Sequence, residues 1–294
     1  MTNKKKLKMP GQPLRVGLVQ LQANDNLADN LKQIFKSLNQ FKSKKVDLVV
    51  LPENALYLRL DKSPANGPTF NLKEAFWAEL QMFCDQKKMA ILIGSVPYRK
   101  AITAAGSGKR AVARPTNATV YLQPRKKPKV VYEKIHLFDV DVKGAPQARE
   151  SHFFKPGKKP AVLTVVGGWR IGLSICYDIR FAELYSRYTK AGAHALFVPA
   201  AFLVPTGRAH WHTLLRARAI EAQCYVLAPA QSGGHKNKQG YQRETFGHSL
   251  AVDPWGVLMA DLGNQGFKAQ VVELRPESLQ QVWQQIPQKS HRRL

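Results

Sequence analysis

The chain has 294 residues, 44% hydrophobic and 22% charged, a composition that excludes a disordered or fibrous protein and allows one large domain or two small ones. Lysine and arginine number 45 against 20 aspartate and glutamate, a net charge of +25 that draws polyanions to the surface whatever else the protein does. Three cysteines, Cys84, Cys176 and Cys224, are too few for a disulfide framework and lack paired metal-ligand spacing, so the expected setting is reducing and cytoplasmic. The basic start, MTNKKKLKMPGQPL, has no apolar stretch behind it, so no secretory signal is expected, and no apolar run is long enough to span a membrane. Asn117-Ala118-Thr119 matches a glycosylation acceptor, a match with little meaning without secretion.

The apolar period predicts the elements in order. A basic tail covers about 1–12. Val16 to Leu21 reads as a strand, and Leu27, Leu31, Ile34, Phe35, Leu38 and Phe41 follow at helical spacing. Val46 to Leu51 is a short buried strand running into Pro52-Glu53-Asn54. Leu72 to Lys88 reads as a helix and Ala90 to Ser95 as a strand. The small, basic, aperiodic residues 99–116 predict a mobile loop. Asn117 to Gln123 and Val130 to Tyr132 form an expected hairpin around Pro124 to Pro128. Ala161 to Val166 and Trp169 to Ile175 form another around Gly167-Gly168. Then come a helix at Phe181 to Lys190, a strand at Leu196 to Val198, a helix at Ala209 to Glu221 and a strand at Tyr225 to Ala228. Strands at His248 to Val252 and Val257 to Asp261 flank a turn at Asp253-Pro254-Trp255-Gly256, and a last helix covers Glu277 to Gln285. Helices alternating with strands and hairpins imply a mixed α/β sheet system covered by helices, in one domain.

Three reactive side chains lie where an apolar strand stops, the edge at which open α/β sheets place ligands. Glu53 lies in VVLPEN, where a carboxylate is partly desolvated, the setting of a general base; taken alone, a solvated loop residue is the commoner reading. Lys134 follows VVYE, and a lysine held in a pocket donates to a developing oxyanion, although one lysine in so basic a chain carries little information. Cys176 ends RIGLSIC before a helix-forming stretch, so a sharp turn exposes its thiol beside backbone N–H groups, and a helix start with a lysine nearby favours the thiolate. A buried inert cysteine is the commoner fate, and the reading for Cys84 and Cys224. His210 and His212 diverge on a helix with no further ligand in the local sequence, so no metal site is expected. His136 and His248 are expected to pack or hydrogen-bond near the pocket, and Trp169, Trp211 and Trp255 to lie in the core. The basic residues are scattered without interleaved aromatics or a reading motif, so no specific nucleic acid is expected as partner.

Taken together, LVVLPEN, YEKIHLFDVDV and GLSICYDIRFAEL resemble the three catalytic blocks of the carbon–nitrogen hydrolase family, the nitrilase superfamily. RESHFFKPG, TGRAHWHTLLRARAIEAQCYVLAPAQ and GHSLAVDPWG extend the likeness from LRVGLVQLQANDN to the end. Within the family the chain is most similar to the deaminated-glutathione amidases, through LRARAIEAQCYVLAPAQSGG and QIPQKSHRRL, with the omega-amidases next. The resemblance implies a four-layer αββα sandwich that associates into a homodimer or larger assembly. It implies Cys176 as nucleophile, Glu53 as general base, Lys134 as oxyanion stabiliser and Glu150 as the residue that orients the lysine, with no metal and no organic cofactor. The Tyr177 N–H would complete the oxyanion site. Arg180, Arg208 and His210 are the expected cationic contacts to an anionic small-molecule amide. Arg208 and Ala182 stand where relatives usually carry proline, and 99–116 looks inserted, departures that bear on the substrate more than the reaction.

Overall fold

The structure is a computed structural model and describes residues 9–41, 45–60, 67–100, 114–143 and 147–293. Most of the expected basic tail and of the expected loop 99–116 lies outside those residues. Their described flanks are anchored: Gly11 N–H donates to the Gly167 carbonyl, Arg99 N–H to the Phe70 carbonyl, and Lys155 N–H to the Pro115 carbonyl.

In chain order the elements are β1 (Leu14–Gln20), α1 (Leu27–Asn39), β2 (Leu48–Val50), α2 (Phe76–Lys87), β3 (Ala90–Tyr98), β4 (Thr116–Gln123), β5 (Lys126–Glu133), and a two-residue pair β6 (Asp139–Val140) and β7 (Ala148–Arg149). There follow β8 (Ala161–Thr164), β9 (Arg170–Leu173), α3 (Ala182–Lys190), β10 (Ala195–Phe197), α4 (Val204–Thr206), α5 (His212–Ala222), β11 (Tyr225–Ala228), β12 (Ser232–Lys236), β13 (Gln242–Phe246), β14 (Leu250–Val252), β15 (Leu258–Asp261), β16 (Lys268–Leu274), α6 (Pro276–Gln285) and α7 (Gln288–His291).

Two six-stranded sheets result, in the orders β16-β1-β2-β3-β4-β5 and β15-β14-β11-β10-β9-β8. Each has three parallel strands at its centre, β1-β2-β3 and β9-β10-β11, with antiparallel neighbours outside. The period of two sets the layers. Leu48 and Val50 of β2 join the core between the sheets, while Val49 and Leu51 join the core under α1 and α2 with Ile34, Leu38, Trp77 and Leu80. On the other sheet, Leu184, Tyr188, Leu215 and Ala219 of α3 and α5 close the outer face. The fold is therefore the αββα sandwich.

Several boundaries differ from expectation for local reasons. The helix expected from Ala209 begins at Val204, because Pro205 opens a turn there. A five-residue π segment, Gly207–Trp211, then joins it to α5. Gly207 is required by close approach, since a Cβ would lie 2.2 Å from the Phe246 ring. The hairpin strand expected at Val130 starts at Lys126, with the tight turn at Arg125, whose φ is +61°. The hairpin β12–β13 and the strand β16 were not expected at all.

Candidate active site

Glu53, Lys134 and Cys176 sit just past the ends of β2, β5 and β9. Because β5 is antiparallel to β4, and β4 to β3, β5 points the same way as β2 and β3, so both acid and base leave the first sheet on one edge. Gly94 brings β3 against that edge: a Cβ there would lie 2.3 Å from the Pro52 carbonyl oxygen. Its neighbour Ser95 accepts the Asn54 N–H at 3.0 Å, fixing the turn after Glu53.

Lys134 is 1% exposed and Glu53 4%. The Lys134 ammonium donates to Glu53 Oε1 at 3.0 Å and to Glu150 Oε2 at 2.7 Å. Burial alone pulls the lysine pKa down, but the charges of Glu150 and then Glu53 outweigh it, and the net displacement is upward. Lys134 is therefore held as an ammonium. Burial raises the Glu150 pKa against the opposing pull of Lys134. Glu150 Oε2 also accepts the Phe138 N–H at 2.7 Å. Glu53 Oε2 accepts the Ala201 N–H at 2.9 Å, and the Gln231 side-chain amide donates to the Glu53 carbonyl at 2.9 Å. Asn117, expected at the start of a strand and in a glycosylation match, has a further role in the site. It is 1% exposed, and its amide spans the two carboxylates, donating to Glu53 Oε1 at 3.3 Å and Glu150 Oε1 at 3.1 Å.

Cys176 has a φ of +48°, the left-handed region that a side chain adopts only when the surroundings enforce it. Its N–H donates to the Pro199 carbonyl at 2.8 Å, and a 3₁₀ turn, Cys176–Arg180, follows. The thiol pKa lies well above its ordinary value, chiefly through burial and then through the Glu53 charge, with Lys134 opposing. The expectation of a resting thiolate is thus corrected: burial and the neighbouring Glu53 charge favour the protonated thiol. The fully buried Asp178 ties the two chain segments together. It accepts the Ile175 N–H at 2.9 Å, the Tyr132 hydroxyl at 2.8 Å and the His136 N–H at 3.0 Å, and its Oδ1 lies 2.7 Å from His136 Nδ1. Tyr132 and His136 flank Lys134 in sequence, so one carboxylate sets the lysine strand against the cysteine turn.

A cavity of about 430 Å³ opens on this cluster, lined by Glu53, Lys134, Glu150, Cys176 and Tyr177 among others. The structure thus brings together the four residues expected to be catalytic, with Tyr177 beside them. It does not bring Arg180, Arg208 or His210 to the lining. Both terminal nitrogens of Arg180 lie 3.3 Å from His210 Nδ1, and its guanidinium covers the Tyr177 and Phe202 rings from outside, while Arg208 and His210 are exposed. The guanidiniums that do line the cavity are Arg59, Arg149 and Arg243. Arg243 lies on β13, a polar strand that gave no periodic signal.

His212 finds partners that its local sequence lacks: its Nε2 lies 3.1 Å from Asp261 Oδ2, and His248 Nδ1 lies 2.9 Å from Asp261 Oδ1. The ligand atoms of these three residues fall within 4.8 Å of one another, and the contacts are those of a carboxylate shared by two imidazoles. Trp169 and Trp211 are core residues, whereas Trp255 is 51% exposed. No helix among the described residues is long and apolar enough to cross a membrane.

The carbon–nitrogen hydrolase family profile matches residues 15–284. The deaminated glutathione amidase of Synechocystis is 37% identical over 96% of this chain and 98% of its own length. That of Yersinia enterocolitica is 34% identical over 95% and 92%. Among solved structures, the Caenorhabditis elegans NitFhit protein superposes with a TM-score of 0.81 at 31% identity, covering 97% of this chain and 66% of that one. Saccharomyces cerevisiae Nit3 superposes at 0.76 with 27% identity, covering 98% and 99%. The chain belongs to the carbon–nitrogen hydrolase family, the nitrilase superfamily, and is an amidase acting on carbon–nitrogen bonds other than peptide bonds.

Proposed function

We propose that the protein hydrolyses the side-chain amide of deaminated glutathione through a thioester on Cys176. The observation that carries this reading is the convergence of Glu53, Lys134 and Cys176 on one cavity, with Glu53 accepting from the Lys134 ammonium at 3.0 Å. Glu53 takes the thiol proton as the sulfur attacks the amide carbonyl. The oxyanion is met by the Lys134 ammonium, whose other N–H bonds are committed to carboxylates, and by the Tyr177 N–H, since the Cys176 N–H is already held by Pro199. One such donor is worth about 3–4 kcal/mol of transition-state stabilisation. Glu53 then passes its proton to the departing ammonia, leaving the thioester. A water deprotonated by Glu53 attacks it, releasing the acid and restoring the thiol, so the sum is amide plus water giving acid plus ammonia. We place this chemistry in a reducing, cytoplasmic setting, because three cysteines are too few for a disulfide framework.

The test is ammonia release from deaminated glutathione by the purified chain. Turnover that vanishes in Cys176→Ala and a Cys176 acyl adduct caught by mass spectrometry are the expected results. The absence of turnover, or a higher kcat/KM on 2-oxoglutaramate, would replace this substrate with the short dicarboxylate monoamide of an omega-amidase.

A further inference from the structure

The cavity has a charge distribution that the catalytic cluster does not explain. Among the described residues its acidic lining is Glu53 and Glu150, and both are bonded to Lys134. Beyond them the lining carries Arg149 and Arg243, whose known bonds go to neutral acceptors. Arg149 Nη1 donates to the carbonyls of Val140 at 3.0 Å and Ala148 at 2.9 Å. Arg243 Nη2 donates to the Ala201 carbonyl at 3.1 Å, while its buried Nε has no partner among the described residues. Carbonyls fix a guanidinium in place without cancelling its charge, and unmet donors in a sheltered site favour an anionic acceptor. Neither arginine forms an ion pair with a carboxylate among the described residues.

We propose that Arg243 and Arg149 form an anion subsite that receives carboxylate groups of the substrate remote from the scissile amide, which makes this an enzyme for anionic amides. The inference deepens the amidase reading above and rests on it. Arg243 is also placed to connect the subsite with the base, because the residue whose carbonyl it holds, Ala201, donates its own N–H to Glu53 Oε2 at 2.9 Å. A guanidinium suits this task through its planar donors, which match a carboxylate.

Two measurements on the full chain test the proposal. The first needs no turnover: glutarate, a dicarboxylate with no amide to lose, should slow iodoacetamide alkylation of Cys176 several-fold in the parent protein. That protection should be largely lost in Arg243→Met and Arg149→Met. The second compares steady-state kinetics on deaminated glutathione, where each variant should raise KM roughly tenfold or more with a smaller change in kcat, and Arg243→Lys should restore part of the loss. Protection by glutarate without turnover of deaminated glutathione would leave the subsite standing and remove the proposed substrate. Turnover with KM unchanged in both variants, or glutarate protection equal in variants and parent, would overturn the subsite. A fall in kcat alone in Arg243→Met would reduce Arg243 to a support for Ala201 and overturn it likewise.

Discussion

The resting site stores its nucleophile as a thiol, and this makes Glu53 necessary before any substrate arrives. Glu53→Gln should slow iodoacetamide alkylation of Cys176 at neutral pH by at least tenfold, read by mass spectrometry of the labelled peptide. Cys84 and Cys224 are fully buried and their pKa values are pushed up to about 12 mainly by burial, so they should stay unlabelled while the protein is folded. Asp178 gives a second prediction. Asp178→Asn keeps the shape but replaces one acceptor oxygen with a donor facing Tyr132, His136 and Ile175. It should lower kcat by tenfold or more with little change in KM, and lower stability by about 1–3 kcal/mol in urea unfolding. Glu53, Lys134, Cys176 and Glu150 were legible because each lies in a block whose order and neighbours are distinctive. Asn117, Asp178 and Arg243 were not. A polar residue on a strand, a carboxylate inside a motif already assigned to another residue, and one arginine among 45 basic residues carry no local signal, and only the fold reveals what each touches.

The central parallel strands were readable because both faces are buried and apolar, so VVL or LVV stands out against any background. The β12–β13 hairpin was not, since SGGHK and QRETF alternate polar and small residues and gain their burial only by docking. The Phe246 N–H donates to the Phe202 carbonyl, joining the hairpin to the segment after β10. β16 escaped notice similarly, as a partly exposed edge strand whose pairing partner β1 lies at the other end of the chain. The hairpin has a pH sensitivity of its own. His235 is 2% exposed, with Nδ1 donating to the Ala23 carbonyl at 2.6 Å, so its Nε2 accepts from the Thr245 hydroxyl at 2.7 Å. Burial depresses its pKa from 6.5 to about 4, with the Arg243 charge assisting. The unfolded chain therefore binds this proton at higher pH than the folded one. The associated stability is complete above pH 6.5 and drains as pH falls toward 4, by about 3 kcal/mol in all. Urea unfolding at pH 7.5 and 4.5 should show that difference narrowing in His235→Gln.

For the whole molecule, the resemblance implies self-association as an expectation, and we propose one surface patch as the place for it. Ile220 on α5 is 50% exposed, and Trp255 and Val257 at the β14–β15 turn are 51% and 54% exposed. A Cβ on Gly256 would lie 2.7 Å from Ile220, so the helix and the turn form one apolar patch. We expect light scattering to return twice the 33.0 kDa chain mass, and Trp255→Glu to return the single chain with the catalytic cluster intact. With +25 charges on each copy, association should strengthen as added salt screens the repulsion. Equal masses for parent and variant would move the contact elsewhere on the surface.

The burial of Asn117 between two carboxylates also bears on how the protein can be manufactured. Threaded into a secretory lumen, the nascent chain would offer Asn117-Ala118-Thr119 to sugar-transferring enzymes before any sheet had formed. An oligosaccharide on that amide has no room beside Glu53 and Glu150, and the closed sandwich would be sterically barred. Exported preparations should accordingly divide into a heavier, sugar-bearing, inactive fraction and an unmodified fraction that retains all the activity.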